Sequence, residues 1–64
     1  MRNILIAYRG KKSQREMAEK YGVSQQTWSI WESGRATPRP AMMKRIADDI
    51  KKPIDKIFFE AVNQ

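Results

Sequence analysis

Apolar residues recur along this chain in helical phase, in short stretches separated by glycines, prolines and capping residues. The longest apolar run is Ile4-Leu5-Ile6-Ala7-Tyr8; with Leu5 and Tyr8 on one face it predicts a first helix from about Asn3 to Arg9, ended by Gly10. Ser13 followed by Glu16 forms an S-x-x-E pattern, in which each side chain satisfies the other residue's unpaired amide, so a second helix begins there. Met17, Ala18 and Tyr21 share one face of it, and Gly22 stands in the stop position. Ser24 caps a third helix, whose Trp28 and Trp31 share a face while Gln25, Gln26, Ser29 and Ile30 point elsewhere; Gly34 closes it. Residues 35–40 read as an extended loop, because Pro38 and Pro40 each disfavour helix in the residue before them. A fourth helix from about Ala41 to Ile50 carries Met42, Met43, Ile46, Ala47 and Ile50 on one stripe. A fifth starts near Pro53, a favoured first-turn residue, and buries Ile54, Ile57 and Phe58. No stretch alternates apolar and polar residues with β-branched enrichment, so no strand is expected. The predicted fold is all-α, a compact five-helix bundle forming one domain over residues 1–64.

Composition narrows the chemistry. A chain of 64 residues buries only about 60% of the surface its unfolded form exposes, so the core is thin. It has no cysteine and no histidine, which removes disulfides, thiolate metal sites, the commonest general base and the commonest zinc ligand. Its three glycines leave no room for a phosphate-cradling loop. No catalytic residue, metal or cofactor is therefore expected, and an enzyme is not. The longest apolar run is far short of the ~20 residues of a membrane span and shorter than a signal-peptide core. With no cysteine, that pattern fits the cytosol.

Thirteen lysines and arginines face seven acids, for a net charge of +6 and a sequence pI near 10.1. A basic folded domain suits a polyanionic partner, although a well-solvated surface can also be basic. The excess sits in residues 1–40, with eight bases against three acids; residues 41–64 hold five against four. The first two-thirds are thus expected to face the polyanion, with the last third as scaffold.

Residues 13–34 form two short helices joined by Tyr21-Gly22-Val23, a turn too short for an antiparallel pair, so the helices cross steeply and the second braces the third. Nine helical residues make a rod of about 13 Å, which suits a DNA major groove about 12 Å wide. Gln25 and Gln26 lie at its exposed start, and a glutamine can bond the N6/N7 edge of adenine twice. Taken alone, two adjacent glutamines read more readily as solvated helix residues.

The segment Ser13-Gln14-Arg15-Glu16-Met17-Ala18-Glu19-Lys20-Tyr21-Gly22-Val23-Ser24, continued by Gln25-Gln26-Thr27-Trp28-Ser29-Ile30-Trp31-Glu32-Ser33-Gly34, resembles the helix-turn-helix of the phage repressor/Cro (Xre-type) regulators. The likeness continues through Pro38, Ile46-Ala47 and the Ile54-Asp55-Lys56-Ile57-Phe58 ending, so it spans nearly the whole chain. It implies a lambda-repressor-like bundle that binds double-stranded operator DNA, usually as a two-fold dimer, and regulates transcription. The resemblance assigns Gln14 to a backbone phosphate at the start of the second helix, and Ser24 to capping the recognition helix and reaching a phosphate or base. It sets Gln25, Gln26 and Ser29 against base edges, Thr27 beside them toward phosphate, and Arg35 and Arg39 toward phosphates or the nearby minor groove. Trp28 and Trp31 match core positions, in agreement with their phase.

Three features depart from the family pattern. Gly10-Lys11-Lys12 looks about two residues short, which bears on whether Arg9 is the arginine that pairs with Glu32 in a largely buried bridge. Ile30 stands at an exposed position that is often polar, where a thymine methyl or a backbone sugar would meet it. Lys51 replaces a common helix-ending glycine, so a left-handed conformation there costs about 1 kcal/mol unless the turn differs.

The expectation is a sequence-specific transcriptional regulator, a small Cro-type repressor on a palindromic operator. Its partners are then operator DNA and a second copy of the chain, with no membrane and no small-molecule ligand. It acts in the cytoplasm, on the nucleoid when bound. Because the chain stops soon after the DNA-binding unit, no ligand-sensing or cleavable dimerisation domain is expected. Pairing is expected around the 38–40 loop, the start of the fourth helix and Phe59, which either points outward or folds back as a lid. An antitoxin or adaptor on the same fold is the second reading, opposed by the lack of a tail after Gln64. A cationic membrane-surface peptide is the third; the charges cluster by fold element and follow no single amphipathic face.

Overall fold

The computed structural model describes residues 1–59; the last five positions of the predicted 1–64 domain lie outside the described residues. Four α-helices follow one another, α1 (Asn3–Arg9), α2 (Gln14–Tyr21), α3 (Gln25–Ser33) and α4 (Pro40–Ile50), and a single π-helical turn (Asp55–Phe59) closes the described chain. No strand occurs among the described residues. The all-α expectation holds, with boundaries close to those read from the pattern.

Local chemistry accounts for the middle of the chain. At α2, the Ser13 hydroxyl accepts from the Glu16 amide at 3.1 Å while the Glu16 carboxylate accepts from the Ser13 amide at 2.9 Å, a complete capping box. Gly22 then adopts the left-handed conformation (φ 70°, ψ 31°) and donates back to the last turn; the Val23 amide donates to the Ala18 carbonyl at 2.9 Å. This left-handed stop satisfies two otherwise unpaired carbonyls and turns the chain within two residues. Ser24, whose hydroxyl accepts from the Thr27 amide at 3.1 Å, immediately starts α3.

Two predicted elements differ. Helix α4 begins at Pro40, one residue before its expected start, because proline is well accommodated in a first turn where its missing N–H is not needed. The fifth element is one π-helical turn beginning at Asp55 in place of an α-helix from Pro53. On this turn the adjacent Ile57 and Phe58 are both buried in the core. Ile54 is only half-buried. Lys51 does take up the left-handed conformation, with φ 65° and ψ 42°; its amide still donates to Ala47 at 2.7 Å.

The core runs from Leu5 through Met17 and Tyr21 to Trp28 and Ile46, all nearly inaccessible to water. Trp28 anchors it, stacked on Tyr21 with ring centroids 5.5 Å apart and edge-on to Trp31 at 5.8 Å. Burying one such ring stabilises the fold by about 4–6 kcal/mol at most. Tyr21 carries its polar end out of this stack: its hydroxyl donates to Asp49 at 2.7 Å and shares a 2.7 Å hydrogen bond with Tyr8. Burial, followed by these hydrogen bonds, pushes the Tyr21 phenol well above its ordinary range, so it stays protonated. The network ties α1, α2 and α4 together beneath the helix-turn-helix.

Candidate nucleic-acid interface

Helix α3 has two faces of opposite character. Trp28, Trp31 and Glu32 point inward and are buried. Gln25 and Gln26, in its first turn, are exposed, and neither side chain is hydrogen-bonded to another described residue. Ser29 and Ile30 follow one turn on and are half-buried. Ile30 thus departs from its expected exposure: it keeps its outward phase, but Gln26 and Ser33 stand one turn either way and share that face. Ser24 and Thr27 are engaged with each other, their hydroxyls 2.9 Å apart at the head of the helix.

Beside the packing of Trp28 and Trp31, a buried carboxylate holds α3 in place. Glu32, only 3% exposed, accepts from Arg9 Nε at 2.7 Å, Arg9 Nη2 at 3.3 Å, Gln14 Nε2 at 3.0 Å and Trp28 Nε1. Burial alone would raise the Glu32 carboxyl, but the donors from Arg9, Gln14 and Trp28, with the Arg9 charge, outweigh it and hold it below the usual range. The short turn does not move Arg9 away from this partner. Arg9 Nη1 also donates to the Lys12 carbonyl at 3.0 Å, so the same guanidinium closes the turn and braces α3. Glu32 therefore locks α1, the start of α2 and α3 into one unit.

Gln14, expected at a phosphate, is half-buried with its amide donating to Glu32. An amide nitrogen carries two N–H donors, so this contact leaves one of them for an anion. Arg35 and Arg39 are exposed in the segment after α3. Arg35 leans on Ser33, whose hydroxyl accepts from the Arg35 amide at 3.2 Å and lies 3.4 Å from its Nε. Lys11 and Lys12 are exposed between α1 and α2.

The basic residues of positions 1–40 are divided in their use, with Arg15 exposed beside Glu19. Arg2 and Arg9 are turned onto internal acceptors, and Lys20 donates to the Tyr8 hydroxyl at 2.8 Å. Lys11, Lys12, Arg35 and Arg39 keep outward positions. Folding selects among the bases because unpaired carbonyls and a buried carboxylate draw cations that lie near them.

A helix-turn-helix family model matches residues 5–57, from the core leucine of α1 to the closing turn. The chain belongs to the Xre/Cro-type helix-turn-helix family. It is a DNA-binding transcription regulator of the Xre type, and its partner is double-stranded DNA. Comparison with curated proteins gives no match, and comparison with solved structures gives none. Among the described residues, no helix is long and apolar enough to cross a membrane.

Two features of this Xre-type domain were not read from the sequence: the donors Gln14 and Trp28 that join Arg9 on Glu32, and the internal partners of Arg2. A signal for the first does exist. Glu32 is the only carboxylate between Glu19 and Asp48, and it lies one turn after Trp28, whose buried N–H needs an acceptor. Arg2 carries no such local signal, since its partners lie about thirty residues away.

Proposed function

We propose that this protein is a small repressor of the Cro type, which binds a palindromic operator as a symmetric homodimer with α3 in the major groove. The observation that carries the reading is the outward end of α3: two glutamines without a partner among the described residues, next to a loop with two exposed arginines. Gln25, Gln26 and Ser29 read base edges, and Ile30 lies against a thymine methyl or a sugar. Gln14, Ser24 and Thr27 set the register on phosphates, and Arg35 and Arg39 hold the backbone beyond the recognition helix. No residue is assigned a catalytic role, and the protein acts in the cytoplasm, on the nucleoid when bound.

One recognition helix reads only a few base pairs, too little to find a site among roughly a million or more competitors. Two copies related by a two-fold axis double the site, with half-sites about 34 Å apart. Phe59, 59% exposed beside the buried Phe58, supports a pairing surface at the closing turn. The test is selection of bound sequences from a random duplex pool, followed by the stoichiometry of the winner. A palindrome bound by two chains is expected, and Phe59→Ser should weaken cooperative binding with the unfolding midpoint unchanged. A 1:1 complex on a palindromic site would sink the dimer.

A further inference from the structure

The C-terminal end of α3 is completed by a residue from the other end of the chain. A helix leaves its last four carbonyls without intrahelical partners, and the last turn of α3 contains no basic residue to offset them. Ser33 serves one, its hydroxyl donating to the Ile30 carbonyl at 2.6 Å. Arg2 serves the Glu32 carbonyl, its amide donating at 2.7 Å, and its Nη1 adds a second donor at 2.7 Å to the Trp31 carbonyl, which also accepts from the Gly34 amide at 3.3 Å. The same Nη1 also donates to the Ala36 carbonyl at 2.7 Å, beyond the helix. The guanidinium lies over the Phe58 ring, 5.1 Å from its centroid.

Ala36 sits one residue after Arg35 and three before Arg39, and Pro38, two residues on, is buried. The Ala36 carbonyl is therefore, with the Ser33 hydroxyl that accepts from Arg35, a point at which the path of this loop is tied to the end of α3. We propose that Arg2 is a positioning residue for DNA binding: it clasps the end of α3 to the 34–39 loop and so aims Arg35 and Arg39 at the DNA backbone. The proposal rests on the reading of Arg35 and Arg39 as phosphate contacts. Arg2 itself is half-buried and turned onto carbonyls, so its contribution passes through the loop.

The experiment is a salt titration of affinity for the selected operator, at a temperature where circular dichroism shows every variant folded. Arg2→Met removes the guanidinium donors while keeping the backbone amide and an apolar stem against Phe58; Arg2→Gln, which keeps a side-chain amide donor, replaces it if Arg2→Met does not fold. Arg35→Ala/Arg39→Ala should lower the slope of log affinity against log salt by about two per protomer. Arg2→Met is expected to lower it by a similar amount with both arginines still present, and to add nothing in the Arg35→Ala/Arg39→Ala background. If Arg2→Met leaves the slope unchanged while the double alanine variant lowers it, the clasp is overturned and the phosphate reading stands. If Arg2→Met lowers it by about one in both backgrounds, Arg2 is itself a phosphate contact and the positioning role is overturned. An unmoved slope in the double alanine variant overturns the phosphate reading and the clasp with it.

Discussion

On its inner face α3 concentrates hydrogen bonds, and on its outer end it has almost none. Glu32 is surrounded by donors from Arg9, Gln14 and Trp28, whereas the Gln25 and Gln26 side chains have no partner among the described residues. The contrast follows from solvation. A buried carboxylate must be saturated by protein donors, since stranding it costs several kcal/mol. An exposed amide is satisfied by water and can exchange that water for a base edge at little cost. Stability and recognition thus occupy opposite sides of one nine-residue rod, and substitutions on the two sides should have separable effects.

The inner face offers the largest effect. Arg9→Ala should destabilise the fold by about 3–5 kcal/mol by stranding the buried Glu32 carboxylate, Glu32→Ala by less because the Arg9 it leaves reaches solvent, and the double variant by less than their sum. Denaturant unfolding of the four chains measures this, and additive losses would mean that the pair is not coupled. The pH dependence has a definite sign. Donors hold the folded Glu32 carboxyl below its ordinary value, near 4.3 in the unfolded chain. Its contribution is therefore complete above that value and lost as pH falls through the lowered one. The stability gap between the native chain and Glu32→Gln should narrow on acidification below about pH 4, and a gap that widens would reverse the assignment.

The outer end should respond only on DNA. Gln25→Ala and Gln26→Ala should each cost about 1–3 kcal/mol on the best operator, confined to one base pair, with stability changed by less than about 0.5 kcal/mol. Affinities for single-base variants of the site decide the matter. Equal loss on all sequences would reassign these glutamines to the backbone.

The smallest effect lies away from both faces and sharpens the contrast as a control. Lys51→Gly relieves a left-handed lysine at the end of α4 and should stabilise by about 1 kcal/mol, raising the melting midpoint by about 4–8 °C. Operator affinity at physiological salt, where an exposed charge away from the DNA is screened, should barely change. No gain in the midpoint would mean that the glycine's extra freedom in the unfolded chain cancels the relief.

Much of this was open to reading because the signals are local. Ser13 and Glu16 form their box within four residues, Gly22 stops α2 where it stands, and Trp28 and Trp31 declare the buried face by spacing alone. The same holds for Gln25 and Gln26, whose exposure follows from their phase at the head of α3. The closing turn was harder to read, since Ile54, Ile57 and Phe58 fit an α-helical stripe. That stripe does not distinguish the two windings, because an α-helix also buries adjacent residues, as α2 does with Met17 and Ala18.

What tertiary structure alone decided is the use of each charge and polar group. The sequence determined that the domain is basic and that its excess lies early in the chain, since composition needs no fold. Which cations face outward depends on which unpaired acceptors lie within reach once the chain is packed. Arg2 meets the carbonyls of Trp31 and Ala36, Arg9 meets Glu32, and Lys20 meets Tyr8, across gaps of 12 to 34 residues. Hydrogen bonds of that span form only after the helices have assembled, because the acceptors take up fixed positions only then. Periodicity fixes which face of a helix is apolar, and packing decides which of its polar groups remain free for DNA.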